Sequence, residues 1–90
     1  MKIKVRGFGD LSTLLNDKQV VEIKENATVE SLLAKLAIMT RTYKKGYIGE
    51  HKVGAGLAVL INGKNMETLQ KPLILKEGDR VELIPFTVGG

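Results

Sequence analysis

Thr28-Val29-Glu30-Ser31-Leu32-Leu33-Ala34-Lys35-Leu36-Ala37 is the stretch of this 90-residue chain with sustained helical periodicity. Val29, Leu32, Leu33, Leu36 and Ala37 recur at i, i+3, i+4, i+7 and i+8, which is one buried stripe of a 3.6-residue repeat. The Thr28 hydroxyl can accept from an unpaired backbone N–H at the helix start, and Glu30 complements the positive end of the helix dipole. The stripe reads as core, not as a cofactor box. A lone helix with one apolar face needs a sheet to cover it, and the flanking sequence supplies one.

Upstream, Lys2-Ile3-Lys4-Val5-Arg6 alternates charged and apolar residues, the period of a strand with Ile3 and Val5 inward. Gln19-Val20-Val21-Glu22-Ile23-Lys24 resumes the alternation with Val21 and Ile23 inward, so the two segments read as a hairpin with a long connection. Leu11, Leu14 and Leu15 in that connection predict a short helical turn tucked against the sheet. Downstream, residues 41–56 are punctuated by Gly46, Gly49, Gly54 and Gly56 and read as an irregular loop.

Leu57-Ala58-Val59-Leu60-Ile61 is apolar on both faces and suits a central strand. Asn62-Gly63 supplies the positive φ angles of a two-residue hairpin turn, with Lys64-Asn65-Met66 as a short return strand. Pro72 cannot donate to a ladder, so residues 69–75 read as a connection whose leucines pack beneath the sheet. A turn at Lys76-Glu77-Gly78-Asp79 precedes a last strand, Arg80-Val81-Glu82-Leu83-Ile84, with Val81 and Leu83 inward. Pro85 is expected to halt pairing.

Composition narrows the function. Hydrophobic residues make up 43% and charged residues 27% of the chain, enough for one domain with a modest core. The absence of cysteine removes thiolate catalysis, disulfides and iron–sulfur ligation, and a lone histidine gives no zinc set, so no metal site is expected. No apolar run approaches the roughly 18 residues of a membrane span, and the charged first strand is unlike a secretory leader. A cytoplasmic protein without a membrane partner is expected.

The net charge of +4 is concentrated where Arg41, Lys44, Lys45 and Lys52 face Glu50 alone. This reads as a solvated loop, and nucleic acid is not expected as a partner. Tyr43 and Tyr47 are expected to pack on the helix end. His51 has no carboxylate or serine at a diagnostic spacing and reads as a surface histidine.

The order β, β, α, β, short β, β implies an α+β fold, a mixed curved sheet of four to five strands around one main helix. With the first and last strands side by side it is the β-grasp of ubiquitin. Residues 1–85 form the domain and 86–90 a flexible tail, Phe86-Thr87-Val88-Gly89-Gly90. A terminal diglycine leaves an uncrowded carboxylate on an arm that can pass narrow openings, which makes the Gly90 carboxylate the candidate reactive group.

The chain resembles the MoaD/ThiS family of ubiquitin-like sulfur carriers, most closely the small subunit of molybdopterin synthase. The matching residues are Ala27-Thr28-Val29-Glu30-Ser31-Leu32-Leu33, Val59-Leu60-Ile61-Asn62-Gly63, Pro72-Leu73, Leu75-Lys76-Glu77-Gly78-Asp79-Arg80-Val81, and the ending from Leu83 to Gly90. The departures are Phe86, where a second proline is frequent, and the basic loop, which has no clear counterpart. The resemblance implies a carrier that is not itself an enzyme and binds no cofactor. A ubiquitin-activating-type partner would use ATP to adenylate Gly90, sulfur would replace AMP to give a thiocarboxylate, and a molybdopterin synthase large subunit or another acceptor would receive it. Thr87, Val88 and Gly89 would thread the partner's channel.

Because Ile84 shares the outward face of the last strand with Arg80 and Glu82, it is expected to form a partner-binding patch with Phe86 and with Val20 or Phe8. Other destinations stay open: thiamine or tRNA thiolation, or conjugation to lysines as a protein modifier. From a different class, a TGS-like β-grasp module binding RNA would have no need of the diglycine.

Overall fold

The computed structural model describes residues 1–87. Strand β1 (Lys2–Gly7) alternates exposed and buried residues, as its sequence does. It leads into a single helical turn, α1 (Leu11–Leu14), that buries Leu11 and the following Leu15 against the sheet and leaves Leu14 outside. Glycine is required where they meet. A Cβ at Gly7 would lie 2.6 Å from the Leu11 carbonyl oxygen and 2.9 Å from Leu15 Cδ1. Strand β2 (Lys18–Glu22) returns antiparallel to β1, with Val21 opposite Ile3.

Helix α2 (Val29–Met39) starts where the capping chemistry places it: the Ser31 N–H donates to Thr28 Oγ1 at 3.1 Å. Val29, Leu32, Leu33 and Leu36 are buried. The helix ends in a Schellman motif, with Thr42 N–H donating to the Ala37 carbonyl and Arg41 N–H to that of Ile38. Arg41 takes the left-handed conformation (φ 60°) that glycine usually supplies there.

The basic segment departs from its reading as an irregular loop. It carries strand β3 (Tyr47–Ile48), a turn through Gly49 at φ 59°, and strand β4 (His51–Val53), which extend the sheet. Ile48 is the reason: it is almost fully buried in the core, and one anchoring side chain fixes a hairpin too short to show a period. Tyr47 is half-buried, whereas Tyr43 stands 81% exposed and does not pack on the helix end as expected.

Strand β5 (Gly56–Ile61) turns through Asn62 (φ 50°) and Gly63 (φ 86°) into β6 (Lys64–Asn65), the primed hairpin turn expected of that dipeptide. A 3₁₀ turn at Met66–Thr68 and an extended connection then bury Met66 and Leu75. Strand β7 (Arg80–Pro85) lies between β1, to which it is parallel, and β5, to which it is antiparallel. The strand order is β2-β1-β7-β5-β4-β3, with β6 also on β5. That is a β-grasp: a mixed sheet curled around one main helix, with seven strands among the described residues because β3, β4 and β6 are added to the four long ones.

Pro85 does not halt pairing. It stands opposite Leu57, and the Phe86 N–H still donates to the Gly56 carbonyl at 2.9 Å. Successive N–H groups of a strand point to opposite neighbours. Since that of Phe86 points to β5, the one Pro85 lacks would face the β1 side, where β1 has already ended at Gly7.

Candidate functional site

The central strand β7 leads towards the proposed reactive terminus. Pro85 and Phe86 are held by β5 on one side, and on the other Gly9, in a left-handed conformation, brings its backbone close enough that a Cβ there would touch Pro85 Cγ at 3.5 Å. Thr87 is exposed. Val88, Gly89 and the proposed reactive Gly90 lie outside the described residues. Pro85 and Phe86 are therefore held by sheet backbone rather than lying in a loop.

Beside Pro85 and Phe86, the outward face of the sheet carries the apolar residues expected there. The Phe8 N–H donates to the Leu83 carbonyl at 3.0 Å, which sets Phe8 next to Ile84, and Ile84 pairs with Ala58 across the ladder. Phe86, 47% exposed, lines a shallow hollow with Ala58. Phe8, Ile84 and Phe86 are thus brought together. Val20 is not part of this group: it is 59% exposed on the edge strand β2, opposite Lys4, which in turn pairs with Arg80.

Sequence reasoning did not single out Ala58 and Leu60, whose outward positions on β5 extend the patch, with Leu60 opposite Glu82. The signal was present in the doubly apolar run of β5, read only as a sign of a central strand. Cations frame the patch. The Arg6 guanidinium sits 4.7 Å from the centre of the Phe8 ring, and Lys4, Lys18 and Arg80 share the neighbouring hollow with Glu82, its only acid among the described residues. An apolar centre with a cationic margin suits a protein partner of acidic surface.

His51 has a partner that its sequence spacing hid. Its Nε2 lies 2.8 and 2.9 Å from the two carboxylate oxygens of Asp10, 41 residues away, and ties β4 to the segment that precedes α1. Among the described residues no group of three His, Asp or Glu side chains is placed to hold a metal ion. No described helix is long and apolar enough to cross a membrane.

The fold has close structural counterparts. A protein from Pyrococcus furiosus described as molybdopterin converting factor, subunit 1, is 26% identical over 97% of this chain and 99% of its own, with a TM-score of 0.75. A chain from the complex of subunits 1 and 2 of molybdopterin-converting factor from Helicobacter pylori is 27% identical, with full coverage of both chains and a TM-score of 0.59. The small archaeal modifier protein 1 from Methanosarcina acetivorans shares the fold at 21% identity and a TM-score of 0.73, over 99% of this chain and 96% of its own. No curated protein sequence is a significant match. The family model of ThiS matches residues 5–90, from the first strand through both glycines, and the chain belongs to the ThiS family of ubiquitin-like proteins.

Proposed function

We propose that this protein is a sulfur carrier of molybdopterin biosynthesis, acting in the cytoplasm as the small subunit of a synthase and performing no catalysis itself. The carboxylate of Gly90 attacks the α-phosphorus of ATP on a ubiquitin-activating-type partner, releasing pyrophosphate and leaving an acyl adenylate. A sulfide-equivalent nucleophile supplied by a partner then displaces AMP, and the resulting thiocarboxylate is carried to the large subunit. Adenylation replaces a poor leaving oxygen with a good one, and glycine leaves the acyl carbon open to attack. The fold contributes a rigid root for the arm and an apolar patch beside it.

The observation that carries this reading is the family match over residues 5–90, which includes Gly90, on a β-grasp whose central strand leads to the terminus. Destination is favoured by two counterparts above a quarter identity, one described as a molybdopterin converting factor subunit 1 and one from a complex of the factor's subunits 1 and 2. Conjugation to lysines is the second reading, favoured by the shared fold of the archaeal modifier. Intact mass spectrometry after incubation with ATP, the adenylating partner and a sulfur source should show oxygen replaced by sulfur at the terminus. Deletion of Gly90 should abolish it. A deletion variant that still acquires and delivers sulfur sinks the proposal, and isopeptide-linked diglycine on other proteins selects the second reading.

A further inference from the structure

On the helix side of the molecule, away from the sheet face that holds the apolar patch, α2 and the basic segment enclose an open groove of about 670 Å³. One wall is a stripe of α2: Glu30, Leu33, Ala34, Ala37 and Ile38. The facing wall is Tyr43, Lys44, Lys45, Gly46 and Tyr47, and Ile48, Val53 and Met66 form the floor. Ala34 and Ala37 leave the helix wall shallow, so that another chain can approach the backbone closely. Ile38 is 65% exposed and Tyr43 81%, an apolar rim with nothing of this chain to cover it among the described residues.

The charges around the groove are one-sided. Lys44 and Lys45 stand on the loop wall and Arg41 at the helix end, and among the described residues none of the three forms a salt bridge. The Lys44 ammonium instead lies 4.2 Å from the centre of the Tyr47 ring. Among the described residues that line the groove, Glu30 is the only acid, a helix stripe away. A nucleic acid strand would carry its phosphates along the apolar α2 wall towards that carboxylate, and a concave groove cannot lie flat on a bilayer. A peptide with apolar anchors and acidic flanks meets both features.

We propose that this groove is a second docking site, which receives an acidic amphipathic segment of another protein, its apolar side chains over Ala34 and Ala37 and its carboxylates against Lys44 and Lys45. The site faces away from the sheet patch, so a partner here and a partner holding the arm can be bound together. It does not depend on the chemistry at Gly90.

The test is an amide chemical-shift titration of the full isotope-labelled chain with a synthetic glutamate-rich peptide carrying leucines at i, i+3, i+4 and i+7. Saturable shifts should cluster at residues 33–48, and the double variant Lys44→Glu/Lys45→Glu should weaken binding about tenfold or more. Ala34→Glu, at an exposed helical position, should block the groove while the rest of the amide spectrum stays unchanged. The proposal is overturned if no saturable shift occurs, if the same peptide with lysine for glutamate binds as well, or if the shifts fall on the sheet face. It is equally overturned if an RNA oligonucleotide or anionic phosphatidylserine vesicles perturb the groove amides more strongly than the peptide does.

Discussion

Two single positions show how backbone geometry constrains residue choice here. Gly7 lets α1 press on the end of β1, and Gly7→Ala would drive a methyl group into the Leu11 carbonyl and Leu15. Overpacking of this kind costs about 1–3 kcal/mol, to be read as a lower urea midpoint. Arg41 presents the opposite case, a side chain held in the left-handed conformation at the close of α2. Arg41→Gly removes that steric cost and should stabilise the protein by up to about 1 kcal/mol in the same measurement. Both directions follow from φ and interatomic distance, neither of which a residue's type reveals.

Among the elements, α2 and the β3–β4 hairpin differ most in how they are specified. The helix is overdetermined by its stripe, its Thr28 cap and its Schellman ending, each acting within a few residues. The hairpin has five strand residues and rests on Ile48 in the core and on the His51–Asp10 contact. Ile48→Ala should therefore destabilise the protein by about 2–5 kcal/mol, the range for emptying a buried aliphatic site. A change under about 0.5 kcal/mol in chemical denaturation would return the segment to a solvated loop.

For the molecule as a whole, the arrangement separates the core from the apolar patch proposed to bind partners. The core lies between α2 and the inner face of the sheet, while Phe8, Ile84 and Phe86 occupy the outer face by the end of β7. Phe86→Ser is expected to leave the unfolding midpoint nearly unchanged and to weaken binding to the adenylating partner, measured by titration calorimetry. Loss of the fold in that variant would place Phe86 in the core instead. The cationic margin should add a salt-dependent part to the same association, read mostly in the on-rate when the titration is repeated at raised ionic strength.

Much of this was legible in the chain. The period-two strands, the helix and its cap, the Asn62-Gly63 turn and the inward positions of Val81 and Leu83 are all local, because they depend on side-chain direction and backbone preference over a few residues. The α+β class and the family resemblance followed from their order. The neighbouring of the first and last strands enters the sequence reading only as a condition, since periodicity carries no information about which strands are neighbours, and the structure supplies the parallel pairing of β1 with β7. The approach of Asp10 to His51, the separation of Val20 from Ile84, the burial of Ile48 and the groove beside α2 were decided only in three dimensions. Each depends on contacts between segments far apart in sequence, made when the curled sheet closes on the helix.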